Sequence, residues 1–224
     1  MSYWKIYWNN VAQNKSPLKQ VQRDAVSKNQ LFKIETHICE LLNLQETDVI
    51  LDVCCGNGLL TNRFSSYCKQ VVGVDFSNEL IKSAQNKYKR HNLSFIEEDA
   101  TQLSKSIDLK FDKILLYFSF QYFNYSQGEL VISEMKKLLK PGGKILIGDV
   151  PDKDKFWIFY NNFLKRAFYF KQWLFNQPKM GKFWAEEEMN KLSKENNLAG
   201  RLLIQNHSLP HAHYRFDYLM ENKQ

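Results

Sequence analysis

From about residue 47 the chain alternates short β-branched, apolar runs with amphipathic stretches, the pattern of βαβ units feeding a parallel sheet. Strands are expected at VILDV (49–53), VVGVD (71–75), SFIEED (94–99), DKILLYF (112–118) and KILIGDV (144–150), with helices near 58–68, 77–91 and 126–139. The last of these helices meets KPGG at 140–143, a Pro-Gly stop after a basic final turn. Upstream, residues 16–43 read as a loop at Ser16-Pro17 and then a helix ending near Leu44. Downstream, the run FWIFYNNFLKRAFYFKQWLF places aromatics on too many faces for an ordinary surface helix. It is expected to pack as an insert over the core and to roof a site there. A helix from about Glu186 to Asn196 leads into two strands, 201–207 and 214–220, joined by a Pro-containing loop.

A chain of 224 residues buries one sizeable core, and nothing in the composition forces a second domain. Cys39, Cys54, Cys55 and Cys68 show no C-x-x-C spacing, which reads as reduced thiols in a cytoplasmic protein. The segment MSYWKIYWNN lacks the basic-then-apolar order of a signal peptide and no 18-residue apolar stretch follows, so neither secretion nor a membrane partner is expected. The formal net charge of +7 is spread along the chain; nucleic acid therefore stays an open but disfavoured partner.

The stretch VILDVCCGNGLL (49–60) is a strand running through a Gly-x-Gly turn into a helix. In open α/β folds ligands bind at the carboxyl ends of the strands, over such turns. Asp75 closes the second strand 19 positions after Gly56, the spacing at which a carboxylate takes both hydroxyls of a ribose. Asp99 follows at the next strand tip, within reach of an adenine amine. Either aspartate alone is as well explained as a helix cap; together they favour a nucleoside. Thr61 replaces the third glycine of G-x-G-x-x-G and there is no Walker lysine, which disfavours dinucleotides and triphosphates.

LDVCCGNG, VVGVDFS, EEDATQL, FDKILLYFSFQYF and LKPGGKILIGDV, in this order and spacing, resemble the successive motifs of the class I S-adenosylmethionine-dependent methyltransferases acting on small molecules. The resemblance covers roughly residues 45–150. It implies an α/β, Rossmann-like three-layer sandwich with a seven-stranded, mostly parallel sheet of order 3-2-1-4-5-7-6 and an antiparallel strand 7. One domain would comprise an N-terminal helical cap (1–44), a cofactor-binding core (45–150), the aromatic helical insert after strand 5 as a lid (151–184), and the last helix with strands 6 and 7 (185–224). The resemblance further implies that Asp52 organises the turn and holds the methionine ammonium, and that Gly56, Asn57 and Gly58 form the floor. Asp75 would take the ribose hydroxyls, Phe76 lie against the adenine, Asp99 and the Ala100 amide meet the adenine edge, and Tyr117 face the methyl group. Cys54 stands where the family has its first glycine; a side chain there is expected to keep negative φ. Cys54 and Cys55 are then small packed residues, with a nucleophilic thiol the minority alternative.

A sulfonium donor needs alignment and dryness more than acid catalysis. The loop SLPHAHY after strand 6 emerges on the cofactor side, so His211 or His213 is the expected base or substrate anchor, with Tyr214 beside them. His207 nearby permits a metal site, but no carboxylate or cysteine joins the histidines, and none is expected. Ser119, Gln121 and Tyr122, in YFSFQYFNY, are candidates for the acceptor; Phe118 and Phe120 read as core. Tyr3, Trp4, Tyr7 and Trp8 are expected as a flap, and Arg23 as a partner for a carboxylate. The expected reaction is methyl transfer to an oxygen of a sugar or related metabolite, by a monomer or homodimer. The alternatives are an RNA or protein methyltransferase and a non-catalytic nucleoside-binding protein of the same fold.

Overall fold

The computed structural model describes residues 3–14, 16–21, 26–175 and 181–222. Seven strands form one sheet of order β3-β2-β1-β4-β5-β7-β6: β1 (Val49–Val53), β2 (Gln70–Asp75), β3 (Leu93–Glu97), β4 (Phe111–Tyr117), β5 (Leu139–Pro151), β6 (Ala199–Ile204) and β7 (Arg215–Glu221). β1 to β5 pair in parallel, and β7 runs antiparallel to both β5 and β6. The helices are α1 (Tyr3–Ala12), α2 (Pro17–Gln20), α3 (Lys28–Leu42), α4 (Thr61–Phe64), α5 (Asn78–Lys87), α6 (Tyr125–Leu138), α7 (Phe156–Phe159), α8 (Phe163–Leu174) and α9 (Glu186–Glu195).

Buried alternation along the central strands creates the three layers. Ile50, Leu115, Leu146 and Leu219 pack against Leu31, Ile34 and Ile38 of α3, whereas Leu51, Ile114, Leu116 and Ile147 pack against Val131, Met135 and Leu192 of α6 and α9. Helix starts are set locally. Ser27 with Gln30 and Asn124 with Gln127 form reciprocal capping boxes for α3 and α6, and Ser77 caps α5.

Three departures from the sequence reading concern the site. The helix expected near 58–68 shrinks to the four residues of α4. The antiparallel β5–β7 register breaks between Ile147 and Val150, leaving Asp149 at φ +56° with its carboxylate 2.8 Å from Arg215 Nη1. The aromatic insert divides into α7 and α8, and α8 leaves Phe163, Leu164, Phe170, Trp173 and Leu174 exposed instead of packing them over the core. No described helix is long and apolar enough to cross a membrane.

Candidate functional site

At the carboxyl ends of β1, β2 and β4 lies a cavity of about 230 Å³. After β1, Cys54, Gly56 and Gly58 all carry positive φ, at +59°, +58° and +73°. The expectation that Cys54 keeps negative φ is thus overturned: the turn demands the left-handed conformation whatever residue fills it, and a non-glycine residue there costs about 1–2 kcal/mol. Gly56 lies on the cavity wall. Gly58 does not; a Cβ there would meet the Phe95 ring at 2.6 Å, so its glycine serves close packing of the turn on β3. Asn57 also faces elsewhere, its amide donating to Pro17 O and Gln20 Oε1 at 2.8 and 2.9 Å and fastening α2 to the turn.

Asp75, at the tip of β2, accepts the Gly56 and Ser77 amides, one on each oxygen and both at 2.9 Å. Each carboxylate oxygen keeps a second lone pair for a ligand. Ser77, not Asp75, caps α5. Asp52 accepts the Thr61 hydroxyl at 2.6 Å. Burial pushes the Asp52 carboxyl up to about 7, beyond what the Thr61 hydrogen bond can offset, and pushes Asp75 up to about 6 against the pull of its two amide donors. Asp99 is exposed and folds back on the Thr101 amide and hydroxyl at 2.9 and 2.7 Å, yet it too lines the cavity. Burial and the Asp75 carboxylate raise the Cys54 and Cys55 thiols well above their usual range, so neither is poised as a thiolate nucleophile.

Of the other residues singled out in the sequence, Phe76, Ala100, Tyr117, Ser119 and Tyr122 line the cavity. Gln121 is buried behind it, its amide donating to Phe118 O at 2.7 Å. Tyr214 packs into the cluster of the insert with Tyr160 and Phe183. His211 and His213 lie against the Tyr214 ring at 5.8 and 4.8 Å, and no histidine lines the cavity. Arg23 lies outside the described residues.

The wall over the opening comes from α1, and none of the described residues of the insert contributes to it. Trp4 and Trp8, one helical turn apart, both reach the Tyr122 ring, at 4.4 and 5.6 Å. That i, i+4 pair was visible in the sequence. Lys5, Thr101 and Gln127, which also line the cavity, carried no such signal. Gln127 looks like an ordinary capping residue, which it also is.

Comparison with known proteins bears directly on this arrangement. The Methyltransferase domain family matches residues 50–143. A ubiquinone biosynthesis O-methyltransferase of Pelagibacter ubique is 30% identical over 169 residues, covering 75% of this chain and 67% of that protein. The chain belongs to the class I S-adenosylmethionine-dependent methyltransferases. The chain is also 27% identical to a demethylmenaquinone methyltransferase of Renibacterium salmoninarum over 68% of its own length and 63% of the relative's. It spans 38% and 34% of two uncharacterized methyltransferases of Schizosaccharomyces pombe. Its fold matches the N-methyltransferase NodS from Bradyrhizobium japonicum in complex with S-adenosyl-L-homocysteine, with a TM-score of 0.67, 16% identity and all of both chains covered.

The residues lining the cavity fit S-adenosylmethionine. Two buried carboxylates, Asp52 and Asp75, line the cavity with no ion pair to either among the described residues, and a ligand carrying an ammonium and a sulfonium supplies positive charge there. The left-handed glycine turn exposes backbone to the same space.

Proposed function

We propose that this methyltransferase transfers a methyl group to a hydroxyl oxygen on a flat, largely apolar small molecule. The observation that supports it is the aromatic lining of the cavity, where Trp4 and Trp8 meet the Tyr122 ring and Phe118 and Phe123 also contribute. Such walls match the face of a planar ring. A sugar, the acceptor expected from sequence, brings several hydroxyls that an aromatic wall leaves unpaired. The absence of histidine from the lining points the same way: a phenolic hydroxyl ionises near pH 10, far more readily than an alcohol, and depends less on a dedicated base. The names of two relatives, a ubiquinone biosynthesis O-methyltransferase and a demethylmenaquinone methyltransferase, agree with a ring acceptor.

On this reading Asp75 holds the ribose, Asp52 the ammonium, Phe76 the adenine face, and Asp99 with the Ala100 amide the adenine edge. When bound, S-adenosylmethionine supplies an electrophilic methyl group whose leaving group needs no proton. Tyr117 and Ser119 at the end of β4 orient the acceptor beside it, and Trp4 and Trp8 exclude water. His211 and His213 receive no catalytic role.

A radiolabelled methyl-transfer screen over phenols, catechols, hydroquinones, sugars and RNA tests this. Label should appear on ring hydroxyls. Transfer only to sugars or to RNA, or cofactor binding with no transfer to any acceptor, would refute it.

A further inference from the structure

α8 is built the wrong way round for a helix facing water. Tyr169 and Gln172 turn inward, Tyr169 packing on Phe156 and Tyr160 with ring centroids 5.0 Å apart, and Gln172 only 8% exposed. Phe163, Ala167, Phe170 and Leu174, spaced i, i+4, i+7 and i+11, share the opposite, solvent-facing side. Phe163 is 82% exposed, Leu174 71% and Phe170 56%, and the flanking Leu164 and Trp173 are 78% and 70% exposed. Contiguous exposed apolar surface of this kind marks an interaction site.

Charge identifies the occupant. No Asp or Glu stands between Asp154 and Glu186, whereas Lys155, Lys165, Arg166, Lys171, Lys179 and Lys182 all fall in that stretch. Arg166 and Lys171 flank the apolar stripe on its two sides in the helical spacing, and two cations of the helix are held by backbone carbonyls. Lys165 Nζ donates to Phe159 O at 3.1 Å and Arg166 Nε to Tyr160 O at 3.1 Å, with Arg166 also 5.1 Å from the Trp157 ring. An isologous second copy would set these cations against their own images with no acid to neutralise them. Exposed Phe, Leu and Trp bordered by Lys and Arg instead suit the boundary between headgroups and acyl chains of an anionic bilayer.

We propose that α8 docks this protein onto the surface of an anionic phospholipid membrane, its apolar stripe in the interface and Arg166 and Lys171 among the headgroups. The contact is peripheral and replaces the expectation of no membrane partner. The insert is tied directly behind the cavity, Lys182 N donating to Gln121 O at 2.7 Å and Trp184 Nε1 to Phe120 O at 3.2 Å, so a docked α8 holds the strand-tip side of the protein near the bilayer. The inference does not depend on which acceptor is methylated.

Co-sedimentation of the full chain with vesicles of equimolar phosphatidylglycerol and phosphatidylcholine, against phosphatidylcholine alone, tests it. Binding is expected on the anionic vesicles and should weaken as salt is raised from about 0.1 to 0.5 M. Arg166→Gln and Lys171→Gln should each weaken it about fivefold, and Phe163→Ser combined with Leu174→Ser more than about tenfold. Retained S-adenosylhomocysteine binding by each variant verifies that it is folded; should the serine double variant fail that check, Leu164→Ser and the glutamine variants decide. Equal affinity for neutral vesicles, no vesicle binding, or binding indifferent to all folded variants would overturn the proposal. So would a concentration-dependent dimer in sedimentation velocity that the serine variants abolish in a protein that ignores vesicles, which would assign the stripe to a second copy.

Discussion

Gly148, in the β5 run KILIGDV, has no role evident from sequence, yet the structure makes it the support on which Tyr117 rests. A Cβ at this position would stand 2.1 Å from both Cδ2 and Cε2 of Tyr117 and 3.0 Å from Asp217 Oδ1. In Gly148→Ala the Tyr117 ring must therefore retreat by more than about 1 Å to reach ordinary contact. It has little room: Tyr117 is 5% exposed and its ring meets Phe118 edge-on at 4.6 Å, with Phe118 itself at φ +69°. Asp217 is no softer, since it is fully buried and holds His37 Nε2 at 2.7 Å and the Asp149 amide and Gln205 Nε2 at 2.8 Å. Overpacking of this kind costs about 1–3 kcal/mol, which for a chain of this size lowers Tm by about 4–8 °C at the middle of that range. Because Tyr117 lines the cavity, affinity for S-adenosylhomocysteine should fall as well. Thermal melts and calorimetry read both effects, and a double-mutant cycle locates the cause. In a Tyr117→Ala background the alanine at 148 should cost less than half as much, the 3.0 Å approach to Asp217 Oδ1 being what remains. If Gly148→Ala melts and binds like the wild type, or if its cost persists unchanged without the tyrosine ring, the reasoning is wrong.

Three further outcomes follow from the site. Asp52 and Asp75, raised by burial to about 7 and about 6, ionise less readily in the folded protein than in the unfolded chain. Their contribution to stability is therefore complete below about pH 4 and is lost as pH rises toward 7. A ligand ammonium favours the ionised form, so S-adenosylhomocysteine should bind more tightly from about pH 5.5 to 7.5 with release of protons; calorimetry showing flat affinity, or an unchanged profile in Asp52→Asn, refutes it. Cys54→Gly removes the left-handed strain at φ +59° and should raise stability by up to about 1 kcal/mol with cofactor affinity retained; a loss of binding in calorimetry would show that the thiol itself is needed. Asp217→Ala leaves two buried donors, the Asp149 amide and Gln205 Nε2, and the part-exposed His37 without their acceptor and should cost at least about 2 kcal/mol in urea unfolding; a loss under about 1 kcal/mol would mean that the network is filled by water.

The sheet was legible because its signals are local and redundant. Five β-branched runs, the glycine turn at 56–58, two aspartates at strand tips and two tail strands mark the elements of a parallel α/β sheet, and the family resemblance implies their order. Asp75 and Asp99 come to one cavity because both end adjacent parallel strands, which sequence spacing specifies. Other features depend on which distant surfaces meet. Trp4 and Trp8, and not the described residues of the aromatic insert, wall the cavity because Tyr122 stands opposite α1, a contact between residues far apart in the chain. The tail histidines fall on Tyr214 outside the lining, since a loop's direction is set by its packing partners and not by its composition. Asn57 and Gly58, one motif with Gly56 in the sequence, are divided by the turn's backbone, which sends one to α2 and the other to Phe95. Hydrophobicity in α7 and α8 announced burial, but periodicity cannot say against what; only the tertiary arrangement turned the apolar stripe of α8 outward, because Tyr169 and Gln172 claim the inward face.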